Sequence, residues 1–312
     1  MSEKKVEFMD RYFTSVMKGI AIFGVMLCHF MGTFGNGITL FTPLGGIGVS
    51  IFLIMSGFGL NESWKTRGGA KWWRKRFISV VVPYVFIELI CYWSIHKISI
   101  YEMVLDALCI KPLYHNGWYL QYQMLWYVVF YIVMRISNYF TLNLKKRMMF
   151  FGLVSIVFFF SLNEIRAEQS LSFFIGILIS EFYDDIKRIV NLIVGISLLC
   201  CGMAFLVLKQ LSVIRSAPQL IYNLVQLFIK CPFALGLIII SYILLSKKIT
   251  LKYFAWMGSV SYELYLLHGY ILPYMEGLGG AIVFWIASIG IATCYHIILE
   301  KGKVIWEPVM RF

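Results

Sequence analysis

Long apolar runs separated by short polar stretches follow one another along the whole chain. Because about 20 mostly apolar residues cross a bilayer as one helix, this pattern predicts about ten transmembrane helices. The predicted segments are residues 12–34, 44–60, 77–96, 117–137, 148–163, 170–183, 190–209, 222–245, 254–274 and 279–299. The second, fifth and sixth are short, so one of them is a candidate re-entrant segment. Residues 101–110 have the pattern of a small amphipathic helix at the membrane surface.

The positive charges of the loops give these segments a direction. Counting from the N-terminus, Lys and Arg are concentrated in every second loop and are much rarer in the others. Positively charged loops stay on the cytoplasmic side, so both termini are expected to be cytoplasmic. The first apolar run lacks a small-residue cleavage site, so we expect it to be retained as a helix.

Composition narrows the fold class to a membrane protein. The 312 residues are 60% hydrophobic and 14% charged, whereas soluble domains carry about 25% charged residues. We therefore expect one all-α, polytopic transmembrane domain over residues 1–312. Its net charge of +12 follows from loop topology, so no nucleic-acid partner is expected. The seven cysteines lack a CxxC motif, and we expect neither disulfides nor a metal site.

Titratable side chains in the predicted helices are candidate functional residues, because charge is costly in a bilayer. His29 lies in the outer half of the first helix, and Lys18 lies eleven positions earlier, near the inner surface. Eleven steps of about 100° place both on one helix face, roughly 16 Å apart. The alternative is that Lys18 extends to the lipid headgroups and His29 makes an interhelical hydrogen bond.

Two inner segments have the composition of a phosphate-binding region. Ser56 and Gly57, near the inner end of the second helix, could leave backbone donors open to a ligand, or the glycines could serve close helix packing. Arg74 and Arg76 belong to a basic run that suits phosphates. That run is also typical of a topology signal with interfacial tryptophans.

Polar and aromatic residues gather toward the outer half. Trp118 and Tyr119 open the fourth helix, where an aromatic belt would also explain them. His268 lies at a depth like that of His29, and Glu263 and Lys230 are further charged positions within helices. This distribution suits a protein that handles something between the two faces of the membrane. Transport and group transfer both remain open.

Five motifs, in order along the chain, resemble the acyltransferase 3 family of membrane-bound acyltransferases. They are Lys18-Gly19-Ile20-Ala21 through His29, Ser56-Gly57-Phe58-Gly59-Leu60, Arg74-Lys75-Arg76 with Pro83-Tyr84, Trp118-Tyr119-Leu120, and Ser261-Tyr262 with Tyr265 to His268. The resemblance extends over nearly the whole chain. Lys18 occupies the position of an Arg in the family pattern, and Lys offers a point charge where Arg offers a bidentate fork.

The resemblance implies transfer of an acyl group, expected to be acetyl, from cytoplasmic acyl-CoA (acetyl-CoA) to a hydroxyl of a cell-envelope sugar or lipid-linked glycan. It implies a bacterial plasma (inner) membrane, with membrane lipid around the chain. His29 corresponds to the family histidine and would act as general base. The coenzyme would contact Lys18, Ser56, Gly57, Arg74 and Arg76, and the acceptor would contact Trp118, Tyr119 and His268.

Two other functions stay open at this point. One is a transporter or exporter of a polysaccharide or small polar molecule, for which Pro232 is a candidate helix break without a clear mate. The other is a non-catalytic partner in a glycan-synthesis complex, against which the presence of His29 counts. The sequence gives no indication of the oligomeric state.

Overall fold

The computed structural model describes residues 6–33, 42–274 and 277–309, and within these ranges the chain is all-helical, with no β-strand. The helices are α1 Arg11–Gly32, α2 Thr42–Arg67, α3 Trp72–Trp93, α4 Ile100–Ala107, α5 Trp118–Tyr139, α6 Leu144–Ser161, α7 Glu164–Ala167, α8 Ser172–Glu181, α9 Tyr183–Ile189, α10 Leu192–Leu208, α11 Ser212–Arg215, α12 Gln219–Ser246, α13 Lys252–Ser259, α14 Ser261–Ile271 and α15 Gly277–Val309. Short 3₁₀ turns lie at His115–Gly117 and Leu272–Tyr274.

Five of the described helices are long and apolar enough to cross a membrane. They are α1, α2, α3, α12 and the Ile282–Gly302 part of α15. A sixth candidate joins α9 to α10, which are bent by 88° at a short break. Helices also occupy the other predicted segments, as α5, α6, α8, and α13 with α14. The chain is therefore a helical membrane protein, and the count of ten crossings stays a prediction.

Two predicted segments differ from the observed helices in an informative way. The third helix begins at Trp72, so the basic run is helical, and it contains π-helical stretches at Phe77–Val81 and Leu89–Trp93. Pro83 lies two residues after the end of the first stretch, and a proline removes an N–H donor, which wider helical turns accommodate. The predicted segment 254–274 is interrupted at Val260, whose backbone is not helical.

A helix is present where a small surface helix was expected at residues 101–110, as α4, and its place at the membrane surface stays a prediction. Its first turn is closed by a capping box, in which the Ser99 side chain accepts from the Glu102 N–H and the Glu102 carboxylate accepts from the Ser99 N–H. Reciprocal bonds of this kind satisfy donors that a helix N-terminus leaves unpaired.

The chain divides into two compact units. The larger unit comprises Met1–Ala70 and Tyr122–Gly258, and the smaller unit comprises Lys71–Gln121 and Ser259–Phe312. Each draws on distant parts of the sequence, and the two are described separately.

Glycines bring the helices of the larger unit into backbone contact. A Cβ atom at Gly258 would lie 1.7 Å from the Ser15 carbonyl oxygen, so α13 and α1 touch there. Likewise, a Cβ at Gly57 would lie 2.1 Å from the Phe173 oxygen, where α2 crosses α8. Small residues at such crossings allow the close packing that stabilises helices in membranes.

Side-chain hydrogen bonds to the backbone join the helices of the smaller unit. The Tyr262 hydroxyl of α14 donates to the Val80 carbonyl at 2.7 Å, and the Tyr295 hydroxyl of α15 donates to the Pro83 carbonyl at 2.9 Å. Both acceptors lie in α3, close to the proline-linked irregularity. These hydrogen bonds from other helices thus hold α3 in place where its own backbone hydrogen bonding is irregular.

Candidate functional site

Helix α1 carries both Lys18 and His29 without interruption. Its N-terminus is capped by Asp10, whose carboxylate accepts from the Phe13 N–H at 2.7 Å. Lys18 is exposed on the surface of the chain and His29 is half-buried. The continuous helix keeps the two on one face, as the spacing predicts.

The start of α2 packs against the turn of α1 that carries His29. A Cβ at Gly45 would lie 2.9 Å from the Cys28 sulfur, and the Cys28 thiol donates to the Thr42 carbonyl at 3.4 Å. The C-terminal end of α1 is therefore held against the second helix one residue away from His29.

Ser56 and Gly57 have neighbours within the larger unit. The Gln123 amide donates to the Ser56 hydroxyl at 3.2 Å and to the Tyr127 hydroxyl at 2.5 Å. Gly57 faces the backbone of α8 at Phe173. Helix packing thus accounts for this glycine, and the coenzyme-binding role of both residues stays a prediction.

The basic run occupies the first turns of α3. Arg74 and Arg76 are both half-buried, and the Arg76 guanidinium carbon lies 5.6 Å from the centre of the Trp72 ring. Residues two positions apart do not share a helix face. The two arginines can therefore reach one phosphate group only by bending their long side chains around the helix.

Trp118, Tyr119 and His268, the three residues predicted to border an acceptor, are brought together in the smaller unit. The Tyr119 ring lies 6.3 Å from Trp118 and 5.1 Å from Tyr265, and the Tyr265 ring lies 6.2 Å from His268. His268 is fully buried, and its Nδ1 lies 2.8 Å from the Leu264 carbonyl. Since a carbonyl can only accept, Nδ1 carries the proton of that bond.

The larger unit contains a buried ion pair of which the sequence indicated only one partner. The Lys230 ammonium contacts the Glu168 carboxylate, and the two side chains are 6% and 9% exposed. Next to Glu168, Gln169 donates to the Gly46 carbonyl at 3.0 Å and accepts from the Ser50 hydroxyl at 2.6 Å. The sequence singled out Lys230 as a charge in a helix, but nothing in it pointed to Glu168 as its partner.

Asp106, a buried carboxylate of the smaller unit, was not among the residues predicted from the sequence. It accepts hydrogen bonds from the Tyr84 hydroxyl at 2.5 Å, the Trp93 indole at 2.8 Å and the Leu113 N–H at 3.1 Å. Its position in a short amphipathic helix suggested a surface residue, and only the folded chain supplies these three donors.

Glu88 is the second carboxylate that the sequence argument missed. One of its oxygens accepts from the Tyr270 hydroxyl at 2.7 Å, and the residue is 2% exposed. The only available signal was a single acidic residue inside an apolar run. A charged residue in a predicted membrane helix is by default a candidate functional residue.

An all-helical chain with several apolar spans, and with titratable side chains buried among its helices, has the features of a membrane-embedded enzyme or transporter. A family model described as an acyltransferase domain matches residues 11–299. The chain belongs to this family, acyltransferase 3, and the family supports a membrane acyltransferase. No curated protein and no solved structure is detectably similar to it.

Proposed function

We propose that the protein transfers an acyl group, acetyl in the first instance, from cytoplasmic acyl-CoA to a hydroxyl of a cell-envelope sugar or lipid-linked glycan. The observation that carries this proposal is the family match over residues 11–299, together with a continuous α1 that presents His29 and Lys18. The whole chain acts as one transmembrane domain in a bacterial plasma membrane. It crosses the bilayer about ten times, with both termini in the cytoplasm.

In this proposal each predicted residue has a task set by its chemistry. Lys18, Arg74 and Arg76 attract the coenzyme phosphates at the cytoplasmic face, since cations pair strongly with phosphate. Ser56 and Gly57 border the coenzyme along α2. Trp118, Tyr119 and His268, which the smaller unit brings together, border the acceptor.

The reaction proceeds by general-base catalysis at His29. The neutral imidazole takes the proton from the acceptor hydroxyl as its oxygen attacks the thioester carbonyl carbon. The carbon–sulfur bond then breaks, and the proton passes to the departing coenzyme thiolate. The acyl group ends as an ester of the acceptor, and the histidine returns to its neutral form.

The test is transfer of labelled acetyl from acetyl-CoA to envelope glycan in membranes that contain the full chain. The His29→Ala variant should insert normally and lose transfer by about 100-fold or more, the usual contribution of a general base. His96→Ala, which changes an exposed histidine, is the matched control and should keep full activity.

Full transfer by His29→Ala would overturn the mechanism. Absence of labelled glycan with the unchanged chain, accompanied by uptake or efflux of a polysaccharide, would favour the transporter. Labelling that needs this chain and another protein, and that survives loss of His29, would favour the non-catalytic partner.

A further inference from the structure

We propose that Glu88, Tyr114, Asn116 and Tyr270 form a binding site for a polyhydroxylated ring of the kind that a sugar presents. This inference rests on the proposed function, because it assigns recognition of the acceptor to residues of the smaller unit. None of the four belongs to the family motifs on which the resemblance was based.

Glu88 has an incomplete set of hydrogen bonds. Its Oε1 accepts from the Tyr270 hydroxyl at 2.7 Å, whereas its buried Oε2 has no hydrogen-bond partner among the residues that the structure describes. Buried polar atoms nearly always have a partner. Because a carboxylate only accepts, the group that completes Glu88 is a donor, such as a ligand hydroxyl.

Two tyrosines provide a flat surface beside this carboxylate. The Tyr114 ring stacks on Tyr270, with 4.0 Å between their centres and 25° between their planes. Burial, assisted by the charge of Glu88, raises the pKa of Tyr114 to about 12, so its hydroxyl stays protonated and can donate. Aromatic rings next to polar groups suit a ligand that presents C–H groups to the rings and O–H groups to the polar atoms.

Asn116 adds an amide to the same group. Its Nδ2 lies 3.4 Å from the Tyr114 hydroxyl, which is long for a hydrogen bond of this type. A ligand oxygen at ordinary distance therefore competes well for this donor. A carboxylate, an amide and tyrosine rings together offer acceptors, donors and apolar contact, which is the combination that a hydroxylated ring requires.

Helix α14 sets the position of the Tyr114–Asn116 loop. A Cβ at Gly269 would lie 2.4 Å from both Asn116 Nδ2 and the Tyr114 hydroxyl, and the Tyr265 hydroxyl donates to the Asn116 carbonyl. The loop thus rests on the glycine that follows His268. Oε2 of Glu88 is enclosed and the Tyr114 and Tyr270 rings are half-buried, so the proposal requires these rings to shift enough to admit a ligand hydroxyl.

The experiment measures sugar binding directly, without acyl transfer. The full chain in lipid nanodiscs is mixed with methyl β-glucoside, methyl β-galactoside or methyl N-acetyl-β-glucosaminide, and saturation-transfer NMR reports contact with the ring protons. At least one glycoside should bind. Glu88→Gln should weaken that binding by about tenfold or more, the usual effect of losing a hydrogen bond to a charged group.

Matched variants separate recognition from folding. Glu102→Gln makes the same chemical change at a partly exposed position of α4, away from the four proposed residues, and should leave binding unchanged. If Glu88→Gln does not fold, Tyr114→Ala and Asn116→Ala, which alter only half-buried loop residues, should weaken binding in its place.

The two proposals fail separately. His29→Ala should keep glycoside binding while losing acyl transfer. Transfer by the unchanged chain, with no glycoside bound or with equal binding after Glu88→Gln or the loop variants, overturns the site assignment and leaves the proposed function standing. Glycoside binding that depends on Glu88, in a chain without transfer activity, overturns the proposed function alone.

Discussion

Two regions of the molecule hold their buried charges differently. In the larger unit Lys230 and Glu168 neutralise one another, and the Gln169 amide beside them is bonded on both sides. In the smaller unit Glu88 and Asp106 are buried without a cation among their described hydrogen-bond partners, which are two tyrosine hydroxyls, an indole and a backbone N–H. A third buried carboxylate of that unit, Glu263, lies 2.7 Å from Nδ1 of His296. The Lys230–Glu168 pair thus joins charge to charge, whereas neutral donors surround Glu88 and Asp106.

This contrast separates structural from functional roles. A buried ion pair neutralises its own charges, and breaking it leaves a charge in an apolar interior. A carboxylate with one oxygen that has no hydrogen bond can instead accept one from a ligand hydroxyl. We therefore expect changes at Lys230 to act on stability, and changes at Glu88 to act on binding.

The largest effect is expected from Lys230→Met, which leaves Glu168 buried and unpaired. Removing one partner of a buried pair costs about 3–5 kcal/mol, so the thermal midpoint of the protein in nanodiscs should fall steeply. Adding Glu168→Leu should recover most of the loss. Lys247→Met, at an exposed lysine just beyond the same helix, should change little. An unaltered midpoint in Lys230→Met would show that the pair has no structural role.

The second-largest effect comes from the same acid-to-amide change at two buried carboxylates of the smaller unit, Asp106 and Glu88. Asp106→Asn replaces an acceptor of three donors with a side chain that has one acceptor oxygen, and should lose about 1.5–3 kcal/mol. Glu88→Gln removes a half-satisfied charge and should leave the unfolding midpoint unchanged or higher. Equal losses in the two variants would contradict the distinction between a complete and an incomplete shell.

The third effect tests helix packing in α2 with two glycines that lie two positions apart. Gly57→Ala would force a Cβ within 2.1 Å of the Phe173 oxygen, while a Cβ at Gly59 would meet nothing within 4 Å. Overpacking costs about 1–3 kcal/mol, so Gly57→Ala should lower the thermal midpoint. Gly59→Ala should raise it slightly through helix propensity. Equal midpoints in both variants would remove the packing explanation and favour a ligand at Gly57.

Apolar periodicity predicted much of the helical structure, because helices depend on local sequence. The helical segments, the short helix α4 and the continuity of α1 from Lys18 to His29 follow from apolar run length and capping residues. The start of α3 was not predicted, because the residues from Trp72 to Arg76 have the composition of a polar segment that flanks a helix. In the structure these residues extend the helix.

The partners of the buried charges lie beyond what one sequence reveals. Glu168 precedes Lys230 by sixty-two positions, and Glu88 precedes Tyr270 by still more. Glu168, Lys230 and Glu88 can be recognised in the sequence as charged residues, but their partners depend on which helices touch in the folded chain. The grouping of Trp118, Tyr119 and His268 was predicted from motifs that belong together in a family, and in the structure Tyr265 lies between Tyr119 and His268.

The smallest effect concerns Glu102, a carboxylate outside the predicted membrane spans, which differs from the buried Glu88 in being partly exposed to solvent. Hydrogen bonds from the Ser99 backbone N–H and hydroxyl lower the pKa of Glu102. Its folded pKa lies below the unfolded one, so the cap contributes above the unfolded pKa and is lost as pH falls through the folded pKa. Ser99→Ala removes the hydroxyl that donates to the Glu102 carboxylate and accepts from the Glu102 N–H, but it keeps the Ser99 backbone N–H donor, so the pKa of Glu102 should rise part of the way to its ordinary value. Carboxyl ¹³C shifts of glutamate-labelled protein measure this, with Glu102→Gln assigning the resonance, and an identical titration in Ser99→Ala would mean that the hydroxyl has no part in lowering this pKa.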